Sequence, residues 1–227
     1  MNAIVPESPL AQKLVPILRS SIVAGLLFVP LISFVVTGSL FFPFITGKGF
    51  IFRILLEILA GFWVMLMILA PRYRPKPSLL LWAMVSLLVV MSLSTIFSVN
   101  PYRSFWSNFE RMEGLIGHLH LFLFFLIAGS VLRTELWWQR FFKVYLGVSF
   151  ILVFYGALQL FGKIPIIQGA GRAEATFGNA TYFATFLLIT IFISLYLWWH
   201  DRGHRWSHWV YGSLFIIQTL MLFSTQT

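Results

Sequence analysis

Seven long apolar runs, with almost every charge in the gaps between them, constrain this chain more than any other feature. A helix needs about 20 apolar residues to cross the hydrocarbon core of a bilayer. Segments of that kind lie at roughly 22–43, 51–70, 79–97, 115–132, 141–161, 181–199 and 208–225. In lipid an open strand leaves its backbone groups unpaired, so each run is expected to be a helix. The expected fold class is all-α: a polytopic transmembrane helical bundle of about seven spans, forming a single transmembrane domain over residues 1–227. With 59% hydrophobic and 10% charged residues, the chain carries more apolar surface than a water-soluble fold of 227 residues can bury. Pro30, inside the first run, predicts a kink or a local re-pairing of the backbone. That run exceeds the roughly 7–15 residues of a secretory signal's apolar core, so it reads as an anchor that stays in the protein.

The loops carry the orientation. Lys13, Arg19, Arg72, Arg74, Lys76, Arg133, Arg140, Lys143, Arg202 and Arg205 fall on the side of the N-terminal tail. Lys48, Arg53, Arg103, Arg111, Lys163 and Arg172 fall on the other, completing the 16 basic residues. The excess marks the N-terminal side as cytoplasmic, and the segments 98–114 and 162–180 are expected outside. The same scatter argues against a nucleic-acid partner despite the net charge of +9, because no loop collects a basic patch. Cysteine is absent, which excludes disulfides and thiolate metal sites. The basic turn Arg72–Pro77 is expected to pin a hairpin at anionic lipid head groups.

Polar residues are costly near lipid, so the few that remain point to function. One cluster is NPYRSFWSNFERMEGL, with Arg103, Asn108, Glu110, Arg111 and Glu113 among aromatic residues. Asn100-Pro101 starts a turn. The stretch after it suits either a short interfacial helix or an ordinary amphipathic connector with solvated ion pairs. The second cluster is GRAEATFGNATY, where Gly169, Gly171 and Gly178 surround Arg172, and Asn179 and Thr181 lead into a span. A glycine-rich backbone entering a helix favours anions, and a guanidinium fork suits phosphate oxygens. The segment reads as a cradle for a phosphorylated ligand, or as a plain turn with an interfacial arginine.

Arg53 and Glu57, four residues apart, share a helical face and are expected to pair. His200, His204 and His208 are also four apart, but Gly203 interrupts them and no carboxylate set accompanies them, so a solvated loop is expected rather than a metal site. His118 and His120 point to different sides of a helix, one of them toward the bundle.

The run NPYRSFWSNFERMEGLIGHLHLFLFF at 100–125 and GRAEATFGNATYFATFLL at 171–188 together resemble the N-terminal half of bacterial O-antigen ligase family proteins, which include O-antigen polymerases. The final LFSTQT resembles the start of that family's threonine/serine-arginine-glycine motif. The resemblance runs from about Phe50 to the end. It implies a bacterial inner-membrane enzyme with an architecture similar to the C-type membrane glycosyltransferases. Such an enzyme moves a glycan from an undecaprenyl-diphosphate carrier to lipid A-core, a growing polymer or a protein, on the periplasmic face. It implies no metal and no cofactor. Arg172 matches an arginine that holds the carrier diphosphate, and Arg103 and Arg111 match the earlier loop; Asn179 and Glu113 stand beside them as candidate substrate-binding residues. The family's large later loop, with its acceptor-side histidine, has no counterpart in these 227 residues. The last apolar run reaches Thr227 without a polar tail, so an N-terminal piece of a longer ligase-like protein is expected. A transporter or flippase for lipid-linked sugars, or a non-catalytic membrane subunit, is the alternative; a transporter favours charged sites at mid-membrane, whereas the charges here cluster in the loops.

Overall fold

The computed structural model describes residues 9–108, 111–201 and 205–227, and it is helical, with no strand among them. The helices are α1 (Pro9–Phe28), α2 (Thr46–Leu69), α3 (Leu79–Ile96), α4 (Pro101–Trp106), α5 (Leu115–Val131), α6 (Glu135–Leu160), α7 (Ala180–His200) and α8 (Arg205–Ser224). Among the described residues, five segments are long and apolar enough to cross a membrane: 26 residues from Pro9 to Phe34, then α2, α3, α6 and α7. The apolar α5 has 17 residues. This is a multi-pass pattern.

The first span differs from its expected bounds of 22–43. It begins at Pro9, and its α-hydrogen bonding gives way at Val29 to a 3-10 turn through Phe34. Pro30 has no N–H to donate and its ring blocks the carbonyl four residues earlier, so the α-helix stops beside it. The early start is explained by the buried positions Ala11, Val15, Leu18, Ile22, Val23 and Leu26, which follow a helical period. Gln12, Lys13 and Arg19 interrupt the apolar run without interrupting that face.

The chain divides into two compact units. The first comprises the chain up to Phe28 with 40–42 and 49–133. Its core includes Leu56, Leu59, Trp63 and Leu66 on α2 and Ile127, Val131 and Leu132 at the end of α5. The basic turn after α2 is tied into this unit: Tyr73 is buried, Trp63 Nε1 donates to its carbonyl at 3.3 Å, and Arg133 Nη2 donates to Arg74 O at 2.9 Å.

The second unit comprises 29–39, 43–48 and 134–227. Leu152, Phe183, Phe186, Leu187 and Met221 bring α6, α7 and α8 together. Within this apolar packing sits a polar network. Gln218 Nε2 donates to Ser149 Oγ (3.0 Å), Ser149 Oγ to Thr190 Oγ1 (3.1 Å), and Ser194 Oγ to Gln218 Oε1 (2.9 Å). All four side chains are fully buried, and their groups close on one another, as polar residues between membrane helices do.

Candidate functional site

In the second unit the segment between α6 and α7 is a built loop. Glu174 has no exposed surface, and its carboxylate accepts from Ile167 N at 2.6 Å and Gln168 N at 3.0 Å. Gln159, in the last turn of α6, accepts from Glu174 N (3.2 Å) and Ala175 N (2.9 Å) and donates to Pro165 O (3.3 Å). Two side chains thereby satisfy four backbone amides and fold the loop onto the end of α6. Lys48, at the start of α2, donates to Thr176 O and lies over the Phe177 ring at 4.9 Å. Thr176 Oγ1 donates to Ser33 O at 2.7 Å. The loop is thus held from both sides within its own unit.

Arg172 rides on this framework. A Cβ at Gly169 would stand 2.2 Å from Arg172 O, so only glycine permits the chain to cross itself there. Gly171, at φ +85°, supplies the left-handed backbone that carries Arg172 out of the turn. The half-buried Arg172 side chain lies 3.4 Å from Gly169 O through Nε and 3.5 Å from Gln226 O through Nη1. Its remaining donors make a fork next to the end of α8, suited to an anionic oxygen. Asn179 has a plainer task. It is the N-cap of α7, where Oδ1 accepts from Thr181 N at 2.8 Å.

Arg103, Arg111 and Glu113 belong to the first unit. The short helix expected after Asn100-Pro101 is present as α4, with Asn100 Oδ1 accepting from Arg103 N at 3.0 Å. Arg103 is exposed on its last turn and makes no ion pair among the described residues. The end of α4 abuts the start of α5 so closely that a Cβ at Gly114 would lie 2.4 Å from Phe105 O. Arg111 Nη1 stands 4.0 Å from Glu113 Oε2, a loose pair, and its guanidinium covers the Phe42 ring at 4.3 Å. Glu110, named with them from sequence, lies outside the described residues.

Arg53 and Glu57 form no close ion pair among the described contacts, although the Glu57 charge acts on the Arg53 guanidinium. Arg53 donates from Nη1 to Met112 O at 3.1 Å, and Glu57 Oε1 lies 3.3 Å from His120 Nε2. His120 is buried and its Nδ1 stands 2.8 Å from Ile116 O, whereas His118 is exposed. Of the three histidines spaced four apart around the α7–α8 connection, His200 stacks on Tyr196 at 4.5 Å and His204 is outside the described residues.

Sequence reasoning named the arginines but missed their supports. Glu174, Gln159 and Lys48 entered it only as charges or as part of an apolar run. The signal that was present is polarity out of place: a glutamine closing an apolar helix, and a carboxylate inside a glycine-rich loop. Comparison with known protein families, with curated proteins and with solved structures finds no match to this chain.

Proposed function

We propose that this chain is the membrane-embedded part of a glycan transferase of the O-antigen ligase kind. It moves an oligosaccharide or polysaccharide from an undecaprenyl-diphosphate carrier to an acceptor: lipid A-core, a growing polymer or a protein. In this reading it lies in the bacterial inner membrane with about seven spans, α5 and α8 included, its N-terminus cytoplasmic and its arginine loops periplasmic. The architecture is of the C-type membrane glycosyltransferase type.

One observation carries the reading: Arg172 stands on a loop whose backbone is fixed by Glu174 and Gln159, with guanidinium donors left for an outside oxygen. As the sugar leaves its carrier, negative charge develops on the diphosphate. A guanidinium held in place beforehand stabilises that charge without reorganising, and one such donor is worth about 2.7–4 kcal/mol of barrier. The Ser149–Thr190–Ser194–Gln218 network gives no matching support to a transporter, because its groups are uncharged, buried and bonded to one another.

The test is glycan transfer in cells expressing the gene with Arg172→Ala. Transfer is expected to be abolished with membrane insertion intact, and Arg172→Lys is expected to be nearly as poor because lysine lacks the fork. Near-normal transfer by Arg172→Ala overturns the reading. So does thiol labelling that finds a cysteine at position 172 reachable only from the cytoplasm.

A further inference from the structure

Two guanidinium nitrogens in the first unit are buried and have no hydrogen-bond partner among the described residues: Arg53 Nη2 and Arg111 Nε. Arg53 is the more demanding case. It is only 8% exposed, on a helix long and apolar enough to cross a membrane. A buried charge keeps its place only when its donors are used, and an unfilled N–H on such a group is the costliest kind of unmet bond.

The two arginines are neighbours through one residue. Met112 adopts φ +50°, a left-handed backbone that a methionine takes only under constraint. Its carbonyl accepts from Arg53 Nη1 at 3.1 Å, so the Arg53 guanidinium lies against the backbone of the residue that follows Arg111. Among the described residues, no carboxylate hydrogen-bonds to either of these two nitrogens, although the Glu57 charge acts on Arg53. Glu57 faces His120 at 3.3 Å, and Glu113 faces Arg111 Nη1, not Nε, at 4.0 Å. Gly49 flanks the cluster, and the Cβ it lacks would stand 3.4 Å from Arg53 Nη2. A glycine there leaves Arg53 Nη2 without a side chain against it from position 49.

We infer that Arg53 and Arg111 form a binding site for a phosphate-type oxyanion, with Arg53 Nη2 and Arg111 Nε as the donors. A tetrahedral anion has oxygens enough to accept from both guanidinium groups at once, and its charge offsets the buried Arg53. The inference deepens the proposed function, resting on it for the diphosphate as ligand; the orphaned donors stand without it. Arg53 is then a binding residue of the first unit, together with Arg111.

The experiment titrates the purified full chain in detergent micelles with farnesyl diphosphate and with inorganic pyrophosphate, then repeats each titration with phosphatidylglycerol in the micelle. The unmutated chain is expected to bind a diphosphate probe, and R53Q and R111Q are each expected to bind it about tenfold to a hundredfold more weakly. G49L, which keeps both arginines but covers Arg53 Nη2, is expected to weaken binding as well, and it decides the matter if R53Q fails to fold. Unaltered affinity in R53Q and G49L, or no binding of either probe by the unmutated chain, overturns the inference. Loss of binding in R172Q but not in R53Q overturns it while leaving the proposed function standing. Displacement of both probes by phosphatidylglycerol supports the anion site with a lipid head group as its source, and removes its link to glycan transfer.

Discussion

Gln159→Leu tests whether the loop bearing Arg172 is held as described. The substitution keeps the size of the side chain and removes its polar end. Glu174 N and Ala175 N then lose their acceptor, and both residues are buried, at 0% and 2% exposure. Each buried donor left unpaired costs about 1–3 kcal/mol, so the two together cost about 2–6 kcal/mol. Pro165 O also loses a partner, but Pro165 is exposed and water replaces it. Since the loop can open to let water reach the amides, the lower part of that range is expected, about 2–3 kcal/mol. The protein has no cysteine, so one placed at Ala173, itself fully buried, is the only thiol and labels only when the loop opens. A cost of about 2 kcal/mol raises the open population, and with it the labelling rate, about thirtyfold. Combining Gln159→Leu with Glu174→Ala should give less than the sum of the two effects, because both act on the same loop. A labelling rate within about threefold of the parent, with additive effects in the pair, would refute the argument that these two side chains build the loop.

Other consequences follow from single contacts. Gly169→Ala drives a methyl to within 2.2 Å of Arg172 O, so the loop must shift, and labelling at position 173 should rise while the far end of α7 is unaffected. Asn179→Ala should destabilise α7 by about 1 kcal/mol through loss of its cap, and Asn179→Asp or Asn179→Ser should restore stability; if Asp and Ser fail where Ala fails, Asn179 does something other than cap. Gln218→Leu removes two interhelical hydrogen bonds, each worth about 0.6 kcal/mol between membrane helices, so unfolding in mixed micelles should show a loss of about 1 kcal/mol. A much larger loss there would mean that the network depends on more than these pairs.

The membrane helices were legible because burial in lipid demands unbroken apolar length, a local property. α3 falls at Leu79–Ile96 against an expected 79–97, and α7 at Ala180–His200 against 181–199. Helix starts were legible less often. α1 and α6 begin before their apolar runs, in turns where polar residues occupy the face away from the core. Pro30 was readable in kind, since a missing N–H acts wherever it stands. The pairing of Arg53 was not. Spacing offered Glu57 on the same face, but the structure supplies Met112 from a distant segment and leaves Glu57 to His120. Nothing local in a sequence ranks a partner four residues away against one fifty-nine away.

Two kinds of polar residue among those described bear on function. Ser149, Thr190, Ser194 and Gln218 satisfy one another, as do Gln159 and Glu174 with the loop amides. Such groups need no ligand, and their task is to fix backbone. Arg53 and Arg111 keep donors that no described residue uses, and Arg172 makes two long contacts to carbonyls through Nε and Nη1. A closed network holds the structure; an open donor of fixed position is where an anion gains most, because the protein has already met the cost of placing it. By that criterion the second unit sets Arg172 on a loop closed by Gln159 and Glu174, and the first unit holds the unused donors of Arg53 and Arg111. Removing a scaffold member should therefore weaken diphosphate binding and stability together, whereas removing an arginine from a loop should weaken binding with stability kept.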